Sequence, residues 1–274
     1  MADDDTSGVP GREPVSKIDT TIPHSARIWN YWLGGTDNYE VDRAAGDQYQ
    51  ALFPGIVDVA RSSRQFLARS IGYLVREEGL RQFLDIGTGL PTEDNTHEIA
   101  QRAAPECRVV YIDNDPLVLL HAHALLTSTP EGRTEYIEAD LRDPENILAV
   151  AAGTLDLGRP VGVILSGILG HIEDYGQARS IVARLMAGLV PGSCLSLNEG
   201  VNTDPVYARA QEAYNSSGAT PYHLRTPQQI EGYFDGLEIV EPGIVSCPQW
   251  RSRLAPLGGG PAEVGQYGGV GRKP

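Results

Sequence analysis

Three aspartates and one glycine turn carry the chemistry legible in this chain. Asp85 stands inside the end of an apolar run, Gln82 to Ile86, which stops at Gly87-Thr88-Gly89. Such a run reads as a buried parallel strand. In an open α/β sheet the ligand lies across the carboxyl ends of the strands. A carboxylate at that position suits an ammonium group and would repel a pyrophosphate. Asp113 closes a second run, Arg108 to Ile112, and lies 24 residues after Gly89, the spacing at which an acidic side chain reaches two ribose hydroxyls. Asn114 follows it. Asp140 comes just past a third run, Glu135 to Ile137. There it can accept from an adenine amino group while Ile112 or Leu141 packs on the ring. Amine, ribose and adenine are provided for in chain order.

These positions need strands and helices in alternation to bring them together, and the chain supplies the pattern. Residues 1–20 are polar and rich in Gly and Pro, a disordered lead-in. From Ile56, apolar positions step at three and four to Val75, a long amphipathic helix closed by Gly79. After the first strand, 82–86, a helix covers about 92–103. Asp115-Pro116 and Asp143-Pro144 each provide an N-cap followed by Pro at the first helical position. Val161 to Leu165 and Cys194 to Leu197 form the fourth and fifth strands, with a helix over 175–189 between them. A short helix opens at Thr226-Pro227. Two extended segments, 237–240 and 244–247, then read as an antiparallel hairpin before a glycine-rich tail over 258–274. The sum is an α/β fold with a doubly wound parallel sheet.

Composition narrows the partners. A chain of 274 residues with 41% hydrophobic content buries one sizeable core. The formal charge of -14 and the absence of a basic stripe disfavour nucleic acid. The three cysteines, Cys107, Cys194 and Cys247, are far apart and suit neither a disulfide framework nor a zinc knuckle. With no signal-peptide pattern and no long apolar run, the expectation is a cytoplasmic protein that does not engage a membrane.

The ligand that presents an ammonium, a ribose and an adenine is S-adenosylmethionine (SAM). Leu84-Asp85-Ile86-Gly87-Thr88-Gly89, Val110-Tyr111-Ile112-Asp113 and Glu138-Ala139-Asp140-Leu141 resemble the first three motifs of class I SAM-dependent methyltransferases. The segment Pro23-His24-Ser25-Ala26-Arg27-Ile28-Trp29-Asn30-Tyr31-Trp32-Leu33-Gly34-Gly35-Thr36-Asp37-Asn38-Tyr39 is similar to the signature of a bacterial S-adenosyl methyltransferase family of unknown substrates. Arg225-Thr226-Pro227, residues 237–243 and Tyr267-Gly268-Gly269-Val270 fit the same family. The resemblance implies a seven-stranded Rossmann-like sheet with its last strand inserted antiparallel, and an N-terminal helical extension. It implies one domain over 21–274, with a helical lid over 21–55 and the α/β core over 56–274. One departure is visible: where the family tends to carry apolar–His–His, this chain reads Leu169-Gly170-His171.

On a helix starting at Ser25, Arg27, Tyr31 and Gly34 share one face, while Ile28, Trp29 and Trp32 pack inward. Two roles are open for this segment. It is a packing helix, or it lids the SAM site with Arg27 on the methionine carboxylate and Tyr31 or Asn38 framing the sulfonium. Ser166-Gly167, ending the fourth strand, allows close approach of the methionine moiety or simply tight packing. If the acceptor arrives protonated, a base is required. The candidates are His24, His171, Glu199 and His223, with His171 first because it follows the strand end beside the acceptor pocket. No metal-ligand spacing occurs among the six histidines. The function read from these residues is methyl transfer from SAM to a small-molecule acceptor. The alternatives are a non-catalytic SAM or nucleoside-binding module and an NAD-dependent oxidoreductase. Thr92, where a dinucleotide turn wants a third glycine, argues against the last.

Overall fold

The computed structural model describes residues 19–91, 94–115, 118, 127–252 and 261–274. Three helices come first: α1 (Ser25–Trp32), α2 (Glu40–Leu52) and α3 (Ile56–Arg76). The core then alternates β1 (Gln82–Ile86), α4 (Thr96–Ala103), β2 (Arg108–Asp113), β3 (Arg133–Glu138), α5 (Pro144–Ala151), β4 (Gly162–Ser166), α6 (Tyr175–Ala187) and β5 (Cys194–Gly200). It closes with α7 (Pro205–Asn215), α8 (Pro227–Glu231), β6 (Glu238–Ile239), β7 (Val245–Ser246) and β8 (Gln266–Arg272). The helix expected after Asp115-Pro116 and the lead-in over 1–18 lie outside the described residues.

Capping chemistry sets the helix starts as the sequence predicts. Asp143 accepts from the Asn146 N–H to begin α5, and Thr226 accepts from Gln229 to begin α8. Pro205 in α7 follows Asp204, whose carboxylate accepts from the Val206 N–H. This is the same Asp-Pro signal, and α7 is a helix that the sequence pattern did not predict.

The sheet runs β3-β2-β1-β4-β5-β8-β6, with β7 also paired to β8. The first five strands are parallel and β8 is antiparallel to β5. The count is therefore eight rather than seven. The Glu241-Pro242-Gly243 turn splits the expected hairpin segments into two short strands, and both pair with β8 rather than with each other. Part of the glycine-rich tail is thus a sheet strand. Its glycines hide it from a propensity reading, yet packing demands them: a Cβ on Gly268 would lie 2.5 Å from the Leu197 carbonyl oxygen.

Core residues fill both faces of the sheet. Leu84, Ile86, Val110, Val163 and Leu195 pack under α5 and α6. Phe83, Val109, Tyr111 and Ile164 pack under α3 and α4. A third cluster joins Ile28 and Trp32 of α1 to Tyr49, Ile56, Val59, Tyr207 and Ala210. The N-terminal helices are thereby fastened to α7 over the carboxyl ends of the strands.

Candidate functional site

Parallel pairing sets the geometry at the strand ends. Ile86 is level with Ile112, and Asp113 with Glu138. The turn after β1 therefore arrives beside the end of β2, where the Gly89 N–H donates to Asp113 Oδ2 at 3.0 Å. Gly87 sits at φ +76°, and a Cβ there would lie 2.4 Å from Ile168. Only glycine fits both the backbone and the space.

A cavity of about 330 Å³ opens over these ends, within the range of small-ligand sites. Asp85, Gly87, Thr88, Gly89, Asp113, Asn114, Asp140, Leu141, Ser166 and His171 all border it. Its far wall is made by α1, Tyr49 of α2, Ile56 of α3, and Tyr207, Gln211 and Tyr214 of α7, while Arg64 of α3 lies on the side of Asp85.

Asp85 is buried and accepts from Thr96 Oγ1 at 2.5 Å. Burial pushes its carboxyl up to about 6, opposed by the Thr96 hydrogen bond and by Arg64. Burial likewise raises Asp113, against hydrogen bonds from the Gly89 and Asp115 N–H groups. Carboxylates held in so low a dielectric with one guanidinium nearby are set to receive a ligand's positive charge. These groups fit the ammonium and the ribose of SAM.

Three expected residues, Arg27, Tyr31 and Asn38, are not in this assembly. Arg27 is buried on Asp42, with Nε 2.8 Å from Oδ2, and its other nitrogens donate to the Asp19 and Ile22 carbonyls. Asp42 in turn accepts from the His24 and Tyr39 N–H groups. Arg27 thus organises the N-terminal segment and lies outside the cavity lining. Tyr31 donates to Asp47 at 2.7 Å, also outside the lining, and Asn38 is held by Asn30 and Gly35. Beside Asp85 the cavity is bordered instead by Arg64, just over two turns into the long helix, which donates to the Asp94 carbonyl at 2.9 Å. Sequence reading passed over Arg64 because helical periodicity marks apolar positions and skips the polar residues between them.

Around His171 the structure adds a network. Nδ1 lies 2.8 Å from the Pro221 carbonyl oxygen. A carbonyl only accepts, so Nδ1 carries the proton and Nε2 keeps the lone pair. Burial pulls the imidazole below its ordinary pKa, only partly offset by that hydrogen bond. The turn bearing His171 is held by Glu199, fully buried at the end of β5. Its carboxylate accepts from the Leu169 N–H at 2.7 Å, from the Gly170 N–H at 3.2 Å and from the Tyr222 hydroxyl. Burial raises Glu199 to about 7 against these three bonds. At the position where the family carries its extra imidazole, a Cβ on Gly170 would lie 2.3 Å from the Tyr222 ring. Tyr222 occupies that space and meets His171 edge-on, ring centres 5.3 Å apart. Of the other expected base candidates, His24 borders the cavity with Nε2 3.0 Å from Asp115 Oδ2, while His223 lies outside the lining. His121 and His123 fall outside the described residues, and no metal-holding cluster occurs among the described ones.

The comparisons agree with this geometry. A family model described as S-adenosyl methyltransferase matches residues 11–274. A DUF574 family protein from Streptomyces avermitilis MA-4680 is similar at 44% identity and TM-score 0.87, over 94% of this chain and 100% of that one. A candidate methyltransferase from Thermobifida fusca YX is similar at 37% identity and TM-score 0.86, over 96% and 99%. An O-methyltransferase family 2 protein from Planctomyces limnophilus DSM 3776 shares the fold at 16% identity and TM-score 0.50, over 86% and 67%. No match was found among curated proteins. The methyl donor is SAM, and the binding-module and NAD-dependent alternatives are set aside. The chain belongs to the S-adenosyl methyltransferase family.

Proposed function

We propose that the methyl acceptor of this SAM-dependent enzyme is a small molecule, taken into the same cavity that holds the donor. The observation that carries this reading is the continuity of that cavity, from the aspartates at the strand ends to the aromatic wall of α1, α2 and α7. A macromolecular acceptor would need an open approach, whereas here the N-terminal helices roof the site. Residues 21–55 are in this reading the lid, fastened to the loop after β2 by His24 on Asp115.

Within the donor half, Asp85 takes the ammonium and Arg64 the carboxylate of the methionine part. Asp113 with Asn114 holds the ribose. Asp140, Leu141 and Ile112 frame the adenine, and Thr88, Ser166 and Gly167 line the path between. SAM supplies an electrophilic methyl group on a positively charged sulfur. The protein's part is to hold acceptor and donor in line, exclude water and take a proton. His171 is the base, with Glu199 and Tyr222 positioning its turn. The reading includes a cytoplasmic location, supported by three free, buried cysteines.

The test is to incubate the protein with methyl-labelled SAM and a cell extract divided into small-molecule and macromolecular fractions. Label recovered in the small-molecule fraction, with S-adenosylhomocysteine formed alongside, supports the reading. Label confined to macromolecules would sink it.

A further inference from the structure

The donor half of the cavity holds every acidic and basic group that borders it apart from two histidines. The opposite chamber is different. Its walls are Trp29, Trp32, Tyr49, Tyr207, Tyr214 and Gln266, with no Asp, Glu, Lys or Arg among them. The aromatic rings form a continuous edge-to-face run, Trp29 to Trp32 at 5.9 Å, Trp32 to Tyr49 at 5.1 Å and Tyr49 to Tyr214 at 5.8 Å. Such a surface favours a flat apolar guest, while a charged one would lose its hydration with nothing to replace it.

Of the polar groups on that side, Gln211 is already bonded to Tyr49 and Asn215, and Asn30 to Asn38. Gln266, at the start of β8, borders the cavity and is only 2% exposed, and its Nε2 has no hydrogen-bond partner among the described residues. Buried side-chain donors are ordinarily satisfied, so an unsatisfied one beside a ligand chamber calls for an oxygen acceptor from the ligand. Gln266 also shares a wall with the base. It pairs with Gly200 across β5 and β8. The Gly200 N–H donates to the Tyr222 hydroxyl at 3.1 Å, and the Tyr222 ring abuts His171.

We infer that the acceptor is a neutral, hydroxylated aromatic molecule carrying a second oxygen that accepts a hydrogen bond from Gln266 Nε2, and that it is methylated on the hydroxyl oxygen. This deepens the small-molecule reading and rests on it. A hydroxyl is favoured over an amine on two counts: an ammonium would enter a chamber without a carboxylate, and a neutral hydroxyl is the group that needs His171. In the transfer, the hydroxyl proton goes to His171 Nε2 and the oxygen lone pair forms the new O–CH₃ bond. The S–CH₃ bond breaks with its electron pair going to sulfur. The products are a methyl ether and S-adenosylhomocysteine, and the proton leaves His171 for water.

Four probes that share a para-hydroxylated ring test this on the protein saturated with S-adenosylhomocysteine: 4-hydroxyacetophenone, 4-ethylphenol, 4-hydroxybenzoate and tyramine. Binding is read by calorimetry. The expected result is that 4-hydroxyacetophenone binds about tenfold tighter than 4-ethylphenol. It should also bind at least ~10-fold tighter than the anionic and cationic probes. Gln266→Met, which keeps the side-chain length and removes the donor, should erase the preference for the ketone over the ethyl group. The inference is overturned if charged probes bind equally well, if neither neutral probe binds, or if the ketone preference survives in Gln266→Met, which would leave a buried water as the partner of Nε2. Should Gln266→Met fail to fold, judged by loss of S-adenosylhomocysteine affinity, the ketone-to-ethyl ratio of the unaltered protein decides, and a ratio near one overturns the inference. Failure of the unaltered protein to bind S-adenosylhomocysteine would instead count against the donor site beneath it.

Discussion

The backbone N–H of Gly89 donates to Oδ2 of Asp113, 3.0 Å away and 24 residues along the chain. This bond ties the turn after β1 to the end of β2 and fixes the orientation of the carboxylate that faces the cavity. Replacing Asp113 with Ala removes both the turn's partner and the group assigned to the ribose hydroxyls. Each charge-assisted hydrogen bond is worth about 1.5–3 kcal/mol. Calorimetric titration should therefore show S-adenosylhomocysteine affinity falling by about 100-fold or more. A loss under about threefold would remove Asp113 from the site.

With Asp85 proposed to take the ammonium, donor binding should depend on pH. Its ligand-free carboxyl titrates at about 6 because it is buried, and the ammonium partner requires the ionised form. S-adenosylhomocysteine affinity should be flat above that value and fall by up to about tenfold per pH unit below it. Asp85→Asn should bind weakly at every pH.

Stability follows with the opposite sense. A carboxyl whose folded pKa is raised above its unfolded value contributes stability at low pH, and that contribution is lost as pH rises through about 6. Ligand-free Asp85→Asn should accordingly be more stable than the unaltered protein at pH 8 by about 1–3 kcal/mol, less whatever is lost with the Arg64 attraction. The difference should vanish near pH 4. Thermal denaturation across that range measures both ends.

Arg27 and Arg64 separate folding from binding. Removing one partner of a buried ion pair costs about 3–5 kcal/mol, so Arg27→Ala should lower the melting temperature sharply through Asp42. Arg64→Ala should leave melting closer to that of the unaltered protein and weaken S-adenosylhomocysteine by about tenfold or more. The reverse pattern would return the carboxylate role to Arg27.

His171 should titrate below the ordinary histidine range near 6.5, with the proton of its neutral form on Nδ1. Nitrogen NMR of the imidazole reads both properties. An essential neutral base loses activity as pH falls through its own pKa, so the acid limb of turnover should track this titration. Glu199→Gln cannot accept from Leu169, Gly170 and Tyr222 together in the same way. It should shift the His171 resonances and cut turnover by about tenfold or more while sparing donor affinity. An unchanged His171 spectrum in that variant would refute the positioning role.

The gathering of the three aspartates and the glycine turn at one cavity was legible in the chain because their placement is local. Each ends a strand, and parallel strands in register bring their ends level whatever lies around them. Family membership was legible in the same way, from short motifs at the strand ends. Other features depended on which surfaces meet. The periodicity of α1 left Arg27 on a polar face but could not say that Asp42 of α2 would cover that face, nor that Arg64 of α3 would turn toward the cavity instead. The glycines of β8 read as a tail because propensity penalises them, and only the closeness of Leu197 explains their presence. Gln266 and Tyr222, far apart in sequence, meet one chamber wall through the antiparallel pairing of β5 with β8. Local pattern tells which residues are buried and where strands stop. Tertiary packing decides what each buried group faces, and here that sets apart the charged strand-end half of the cavity from its aromatic half.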